Sequence, residues 1–127
     1  MINVKEMKDN GFMNHNGFYI VEAENNYAKI AIDVKQESLN PYGVVHGGLL
    51  FSLADSAMGI ALRTTDRIGV TLNSNIDFLA PGKGKHIYAE TELVKDGKSI
   101  VVYNVKITNE EGTLISTVTG TYYIMNK

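Results

Sequence analysis

The chain of 127 residues contains no cysteine and no tryptophan, and only two prolines. Without cysteine there is no disulfide framework, no thiol nucleophile and no thiolate metal site. The three histidines, His15, His46 and His86, are scattered with no ligand spacing on one face, so no metal is expected. Twelve Lys and Arg against fourteen Asp and Glu leave a net charge of -2, which supplies no basic field for nucleic acid. No apolar run is long enough to span a membrane, because Asp55 and Arg63 interrupt the best candidate. Residues 1–8 lack the apolar core of a signal peptide, so a cytoplasmic location is expected. A hydrophobic content of 44% with 20% charged residues is ordinary for a soluble globular protein. The length fits one domain over residues 1–127, with residues 1–14 read as an N-terminal helical arm.

What the chain does have is one dense stretch. Residues 40–48 read Asn-Pro-Tyr-Gly-Val-Val-His-Gly-Gly, a loop of turn formers that runs directly into residues 49–62, nearly all apolar or small. A helix apolar most of the way round belongs inside something. Asp55 breaks the pattern, and an unpaired buried carboxylate is costly unless it finds partners or serves chemistry. Ser52, Asp55, Ser56 and Gly59 recur at helical spacing and form one narrow stripe, which Gly48 extends by a turn. Small residues along a stripe let a second backbone come close. The plain alternative is a helix packed on its own sheet, with Asp55 hydrogen-bonded at a solvent gap.

The rest of the chain reads as strands. Residues 18–24 and 27–34 form a hairpin about Asn25-Asn26, because asparagine tolerates positive φ. After the helix, a strand over 68–79 stops at Pro81-Gly82. Residues 87–94, 100–108 and 114–125 follow as an antiparallel meander, turned at Asp96-Gly97 and at Glu110-Glu111-Gly112. In the middle strand Val101, Tyr103, Val105 and Ile107 share one face. The order is two strands, one buried helix and four strands, which predicts an α+β fold: an antiparallel sheet of five to six strands wrapped around one long central helix.

That order, with Asn40-Pro41-Tyr42-Gly43-Val44-Val45-His46-Gly47-Gly48 leading into Leu53-Ala54-Asp55, resembles the hotdog-fold acyl-CoA thioesterases. The likeness is to the PaaI-like branch of the 4-hydroxybenzoyl-CoA thioesterase superfamily. A second matching segment covers residues 70–82, the strand after the helix. The resemblance implies an acyl-CoA thioesterase that hydrolyses an aryl- or fatty-acyl-CoA to free acid and CoA. It implies no cofactor, CoA being part of the substrate, and a homodimer that pairs into a dimer of dimers. Nucleic acid and membrane are not expected partners.

Thioester hydrolysis needs a polarised carbonyl and an attacking oxygen. Unpaired N–H groups at a helix start sit at the positive end of the macrodipole, which makes Gly47 N–H the candidate oxyanion donor. Gly48 is either a substrate contact or a plain helix start. Asp55 is the general base or the nucleophile, with the choice left open. Eight residues separate it from Gly47, about 12 Å along a helix axis, whereas reacting atoms must come within roughly 3–3.5 Å. One helix can hardly serve one carbonyl with both groups, so the site is expected to be shared across a homodimer. By the resemblance, Asn40 orients substrate or water, His46 supports the loop or the thioester, and Thr71 places the water. Strict alternation along 70–78 turns Thr71 away from one set of its neighbours, so it reaches the helix side only if a bulge intervenes. Arg63, Arg67, Lys83 and Lys85 are candidates for the CoA phosphates. A non-catalytic acyl-CoA sensor on the same fold is the alternative reading, which the presence of Asp55 argues against. The hotdog dehydratases would need a catalytic histidine paired differently with an acid.

Overall fold

The computed structural model describes residues 11–126; the helix expected over residues 3–8 lies outside them. The described chain begins with a single-turn helix, α1 (Gly11–His15), whose Met13 is buried in the core. A hairpin follows, β1 (Tyr19–Glu24) and β2 (Tyr27–Asp33). Its two-residue turn places Asn25 at φ 51° and Asn26 at φ 64°, the conformation for which asparagine is suited. A loop leads to the long helix α2 (Gly47–Arg63), and four strands complete the chain: β3 (Gly69–Phe78), β4 (His86–Asp96), β5 (Ile100–Asn109) and β6 (Leu114–Ile124).

All six strands lie in one antiparallel sheet of order β1-β2-β4-β5-β6-β3. The last three strands form the meander that the turn signals predict. The sheet curls so that every strand touches α2. Ile30 and Ile32 from β2, Ile87 and Ala89 from β4, the Val101, Tyr103, Val105 and Ile107 row of β5, and Val118 and Ile124 of β6 close on the helix. Ala54, Ala57 and Ala61 bring the helix backbone near the sheet, while Leu50, Leu53, Met58, Ile60 and Leu62 fill the space between. Each large apolar side chain so buried contributes about 1.5–3 kcal/mol.

The wrapping leaves one face of α2 open. The sheet does not enclose α2 on all sides, because six strands curl round only part of its circumference. Gly48 and Asp55 are exposed, and Ser52, Ser56 and Gly59 are half-buried, so the small stripe is the helix face that its own sheet leaves uncovered. The edge strand β3 runs beside that stripe and is also open, with Val70, Leu72 and Phe78 all more than half exposed.

Candidate active site

The loop before α2 is tightly built. A bridge between Leu39 and Val45 closes it, Gly43 takes φ 81°, and Val45 N–H donates to Gly82 O at 2.8 Å. Asn40 Oδ1 accepts from the backbone N–H of Tyr42 (2.9 Å) and of Val44 (3.3 Å), so the side chain folds its own turn and only its amide NH2 is left for other partners. His46 caps the helix. Its Nδ1 accepts from Gly48 N–H at 3.0 Å, which assigns the ring proton to Nε2.

The first turn of α2 therefore has a specific pattern of engaged donors. Gly48 N–H is held by the His46 ring, and Leu49 and Leu50 N–H both donate to His46 O. Gly47 N–H has no hydrogen bond among the described residues, leaving one open donor at the positive end of a 17-residue helix. The two glycines differ in their surroundings as well. A Cβ on Gly48 would lie 3.2 Å from the His46 ring, and one on Gly47 would lie 3.1 Å from the Phe78 ring. Gly48 is thus a close-packing position within the cap.

Asp55 sits two turns further on. Its Oδ1 accepts from Thr71 Oγ1 at 2.9 Å and from the Tyr122 hydroxyl at 3.0 Å. The carboxylate that sequence reasoning buries is exposed in the described chain, because the stripe it belongs to faces away from the sheet. Thr71 reaches it through a bulge. The β3–β6 register pairs Thr71 with Tyr122 and Asn73 with Thr121, leaving Leu72 as the extra residue. The bulge shifts the alternation, so Thr71 and its cross-strand partner Tyr122 point to the same carboxylate oxygen. Burial, and then the charge of Asp55, push the Tyr122 hydroxyl well above the ordinary phenol range, which keeps it a donor. Sequence reasoning missed Tyr122, which lies 67 residues from Asp55. Its only signal was a hydroxyl on the inward face of β6, in line with Val118, Gly120 and Ile124.

The cationic candidates do not gather in one place. Arg67 ties down the β4–β5 turn, with its guanidinium on Asp96 and on the carbonyls of Gly97 and Lys98, so it is not free for phosphate. Lys83 and Lys85 are exposed on the loop whose Gly82 pairs with Val45, near the helix start. Arg63 lies at the opposite end of α2. Among the described residues, no group of three or more histidines and carboxylates is arranged to hold a metal ion. No helix among them is long and apolar enough to cross a membrane.

An open helix-start N–H and a carboxylate fixed by two hydroxyls are groups that acyl transfer to water can use. The sheet that carries them is a hotdog fold. The thioesterase superfamily model matches residues 42–116, and this chain belongs to that family, as a hotdog-fold thioester hydrolase of the PaaI-like kind. The acyl-coenzyme A thioesterase PaaI of Escherichia coli is 31% identical over 105 residues, which cover 82% of this chain and 75% of that one. Its structure matches with a TM-score of 0.90 at 26% identity, covering 96% of this chain and 89% of that chain. A hypothetical thioesterase protein from Streptococcus pneumoniae, solved with coenzyme A, matches with a TM-score of 0.81 at 33% identity over 85% of each chain. The Streptococcus protein has also been solved as two alanine variants, one of an aspartate and one of a threonine sixteen residues beyond it. Asp55 and Thr71 have the same separation.

Proposed function

We propose that this protein hydrolyses acyl-CoA thioesters in an active site shared by two copies of the chain, Asp55 from one facing Gly47 N–H from the other. The observation that carries this reading is the placement of both groups on one side of one helix. Asp55 is held by Thr71 and Tyr122 on the stripe its own sheet leaves open, about 12 Å along the axis from the one open N–H of the first turn. An antiparallel second helix laid along Gly48, Ser52 and Asp55, where it ends, brings each acid to the other copy's helix start. The same docking covers the exposed Leu72 and Phe78 of β3.

In the proposed reaction, Asp55 takes a proton from water as the oxygen adds to the thioester carbonyl. Gly47 N–H donates a hydrogen bond to the developing oxyanion, a role worth about 10²–10³ in rate for one donor. The C–S bond then breaks, and the proton returns from Asp55 to the departing CoA sulfur. Direct attack by Asp55 gives an anhydride instead; single turnover in ¹⁸O-water distinguishes the two by label in the enzyme. Asn40 through its amide, His46 through Nε2–H and Thr71 through its hydroxyl are the neighbouring polar groups for substrate and water. Lys83 and Lys85 stand on the helix-start side for the CoA phosphates. The route uses side chains, backbone N–H, water and substrate, with CoA entering as part of the substrate. A cytoplasmic location fits a cysteine-free chain acting on CoA thioesters, and native mass measurement reads whether dimers pair further.

The test is free-thiol release from a panel of aryl-, short-, medium- and long-chain acyl-CoAs, with Asp55→Ala and Asp55→Asn beside wild type. Turnover by wild type, with kcat lost in both variants and the fold retained, is the expected result. No turnover on any member would overturn the reading and favour a non-catalytic acyl-CoA sensor.

A further inference from the structure

Beyond Asp55, α2 and the start of β3 enclose a groove of about 750 Å³. Asp55 and Thr71 stand at its near end. Gly59, Ile60, Val70 and Phe12 line its middle, and Arg63 stands at the far end. Gly59 keeps the floor open, since a Cβ there would meet only the Tyr122 hydroxyl, at 3.9 Å. The groove is therefore continuous with the proposed catalytic carboxylate, apolar along its length and capped by a cation.

Arg63 differs from the other charged groups at that end. Arg67 is engaged by Asp96 and two carbonyls. Asp66 has an interaction of its own. The Arg63 guanidinium makes no hydrogen bond or ion pair among the described residues, although the side chain is half-buried. It lies eight residues beyond Asp55, about 12 Å along the axis, and helical side chains lean back toward the N-terminus, which turns it toward Asp55. A guanidinium fork recognises a carboxylate through two parallel hydrogen bonds, and a half-buried cation in an apolar groove favours such a partner.

Lys83 and Lys85 sit by the helix start, the end that offers Gly47. In a shared site these lysines belong to the copy that offers Gly47 and the groove to the copy that offers Asp55, so Arg63 and the lysines face the substrate from different chains. Resting on the thioesterase reading above, we propose that this groove is the acyl pocket and that Arg63 selects acyl groups ending in a carboxylate, the CoA thioesters of dicarboxylic acids.

The experiment compares adipoyl-CoA with hexanoyl-CoA, which have the same carbon count and differ at the distal end. The readout is the ratio of their kcat/KM values for wild type, Arg63→Gln and Arg63→Lys, with the melting temperature of each recorded. Wild type is expected to prefer adipoyl-CoA by about tenfold or more, the scale of a hydrogen bond to a charged group. Arg63→Gln abolishes that preference, and Arg63→Lys, a point charge without the fork, keeps part of it. A wild-type ratio near one overturns the proposal. So does a ratio unchanged in Arg63→Gln, the result of a contact to CoA that affects both substrates alike. Hydrolysis of other acyl-CoAs with no preference for the carboxylate would sink this inference alone; no hydrolysis of any acyl-CoA would sink the thioesterase reading with it.

Discussion

Replacing Tyr122 by Phe removes one hydroxyl and leaves the ring, which packs edge-on against Tyr103 with centroids 6.1 Å apart. Asp55 Oδ1 then keeps only the Thr71 hydrogen bond at 2.9 Å. A hydrogen bond to a charged group is worth about 1.5–3 kcal/mol. If that energy fixes the carboxylate in its attacking orientation, its loss appears in the barrier, lowering kcat by about 10–100-fold. Tyr122 lies at the protein end of the carboxylate, so KM should move by less than about twofold. Steady-state thiol release with the best acyl-CoA of the panel gives both constants, and thermal unfolding checks the retained core. The control is a double-mutant cycle: in an Asp55→Asn background, Tyr122→Phe should have little further effect, because the two residues act as one unit. A kcat near wild type would refute the reasoning. An equal loss in the Asp55→Asn background would do the same, by showing that Tyr122 acts through something other than the acid.

Two further outcomes concern the fold. Gly120→Ala drives a Cβ into the thioether end of Met58, a fully buried side chain that must shift within the core to admit it. Overpacking of this kind costs about 1–3 kcal/mol, read as a lowered midpoint in urea with an unchanged slope; an unchanged midpoint would show that the core yields freely there. Asp33 accepts from Tyr19 and pairs with His86, both at 2.9 Å, and the His86 hydrogen bond, then that of Tyr19, holds its carboxyl below the ordinary value of 3.8. A depressed folded value means that the contribution to stability is complete above the unfolded value and disappears as pH falls through the folded one. Asp33→Asn should therefore lower the melting temperature at neutral pH, and the gap should close as pH falls below about 3.8; a gap that widens in acid would contradict the assignment.

Much of the architecture was legible in residue order. Asn25-Asn26 marked a hairpin because asparagine accepts the positive φ that both positions adopt. The run after Gly48 marked a helix too apolar to lie on a surface, and alternation in 100–108 marked the face of β5 that covers it. The stripe of small residues also appeared in sequence, but its exposure did not, since periodicity gives the faces of a helix without saying how far a sheet curls. Thr71 was placed on the helix side only by the bulge at Leu72, a one-residue irregularity that leaves the composition of a strand unchanged. Tyr122 was invisible for a different reason: its partner is 67 residues away, joined through the sheet register rather than through a motif. Asn40 and His46 carried the reverse lesson, because residues that the motif marks for substrate are also the ones that build the loop and cap the helix.

The shared site is tested most directly by mixing two inactive chains. Gly47→Pro removes the one open N–H and displaces the exposed Phe78 ring, which its Cβ would otherwise approach to 3.1 Å: proline suits the first position of a helix, and His46 before it already has the extended backbone, φ −59° and ψ 134°, that a proline requires. Asp55→Ala removes the acid. Each variant alone should be inactive, and unfolding, mixing and refolding the two in equal amounts should restore about a quarter of wild-type turnover, since half of the random dimers are mixed and each of those holds one intact site. Turnover no greater than the sum of the separate variants, in mixtures proven to contain mixed dimers, would contradict a site built from Asp55 of one copy and Gly47 of the other.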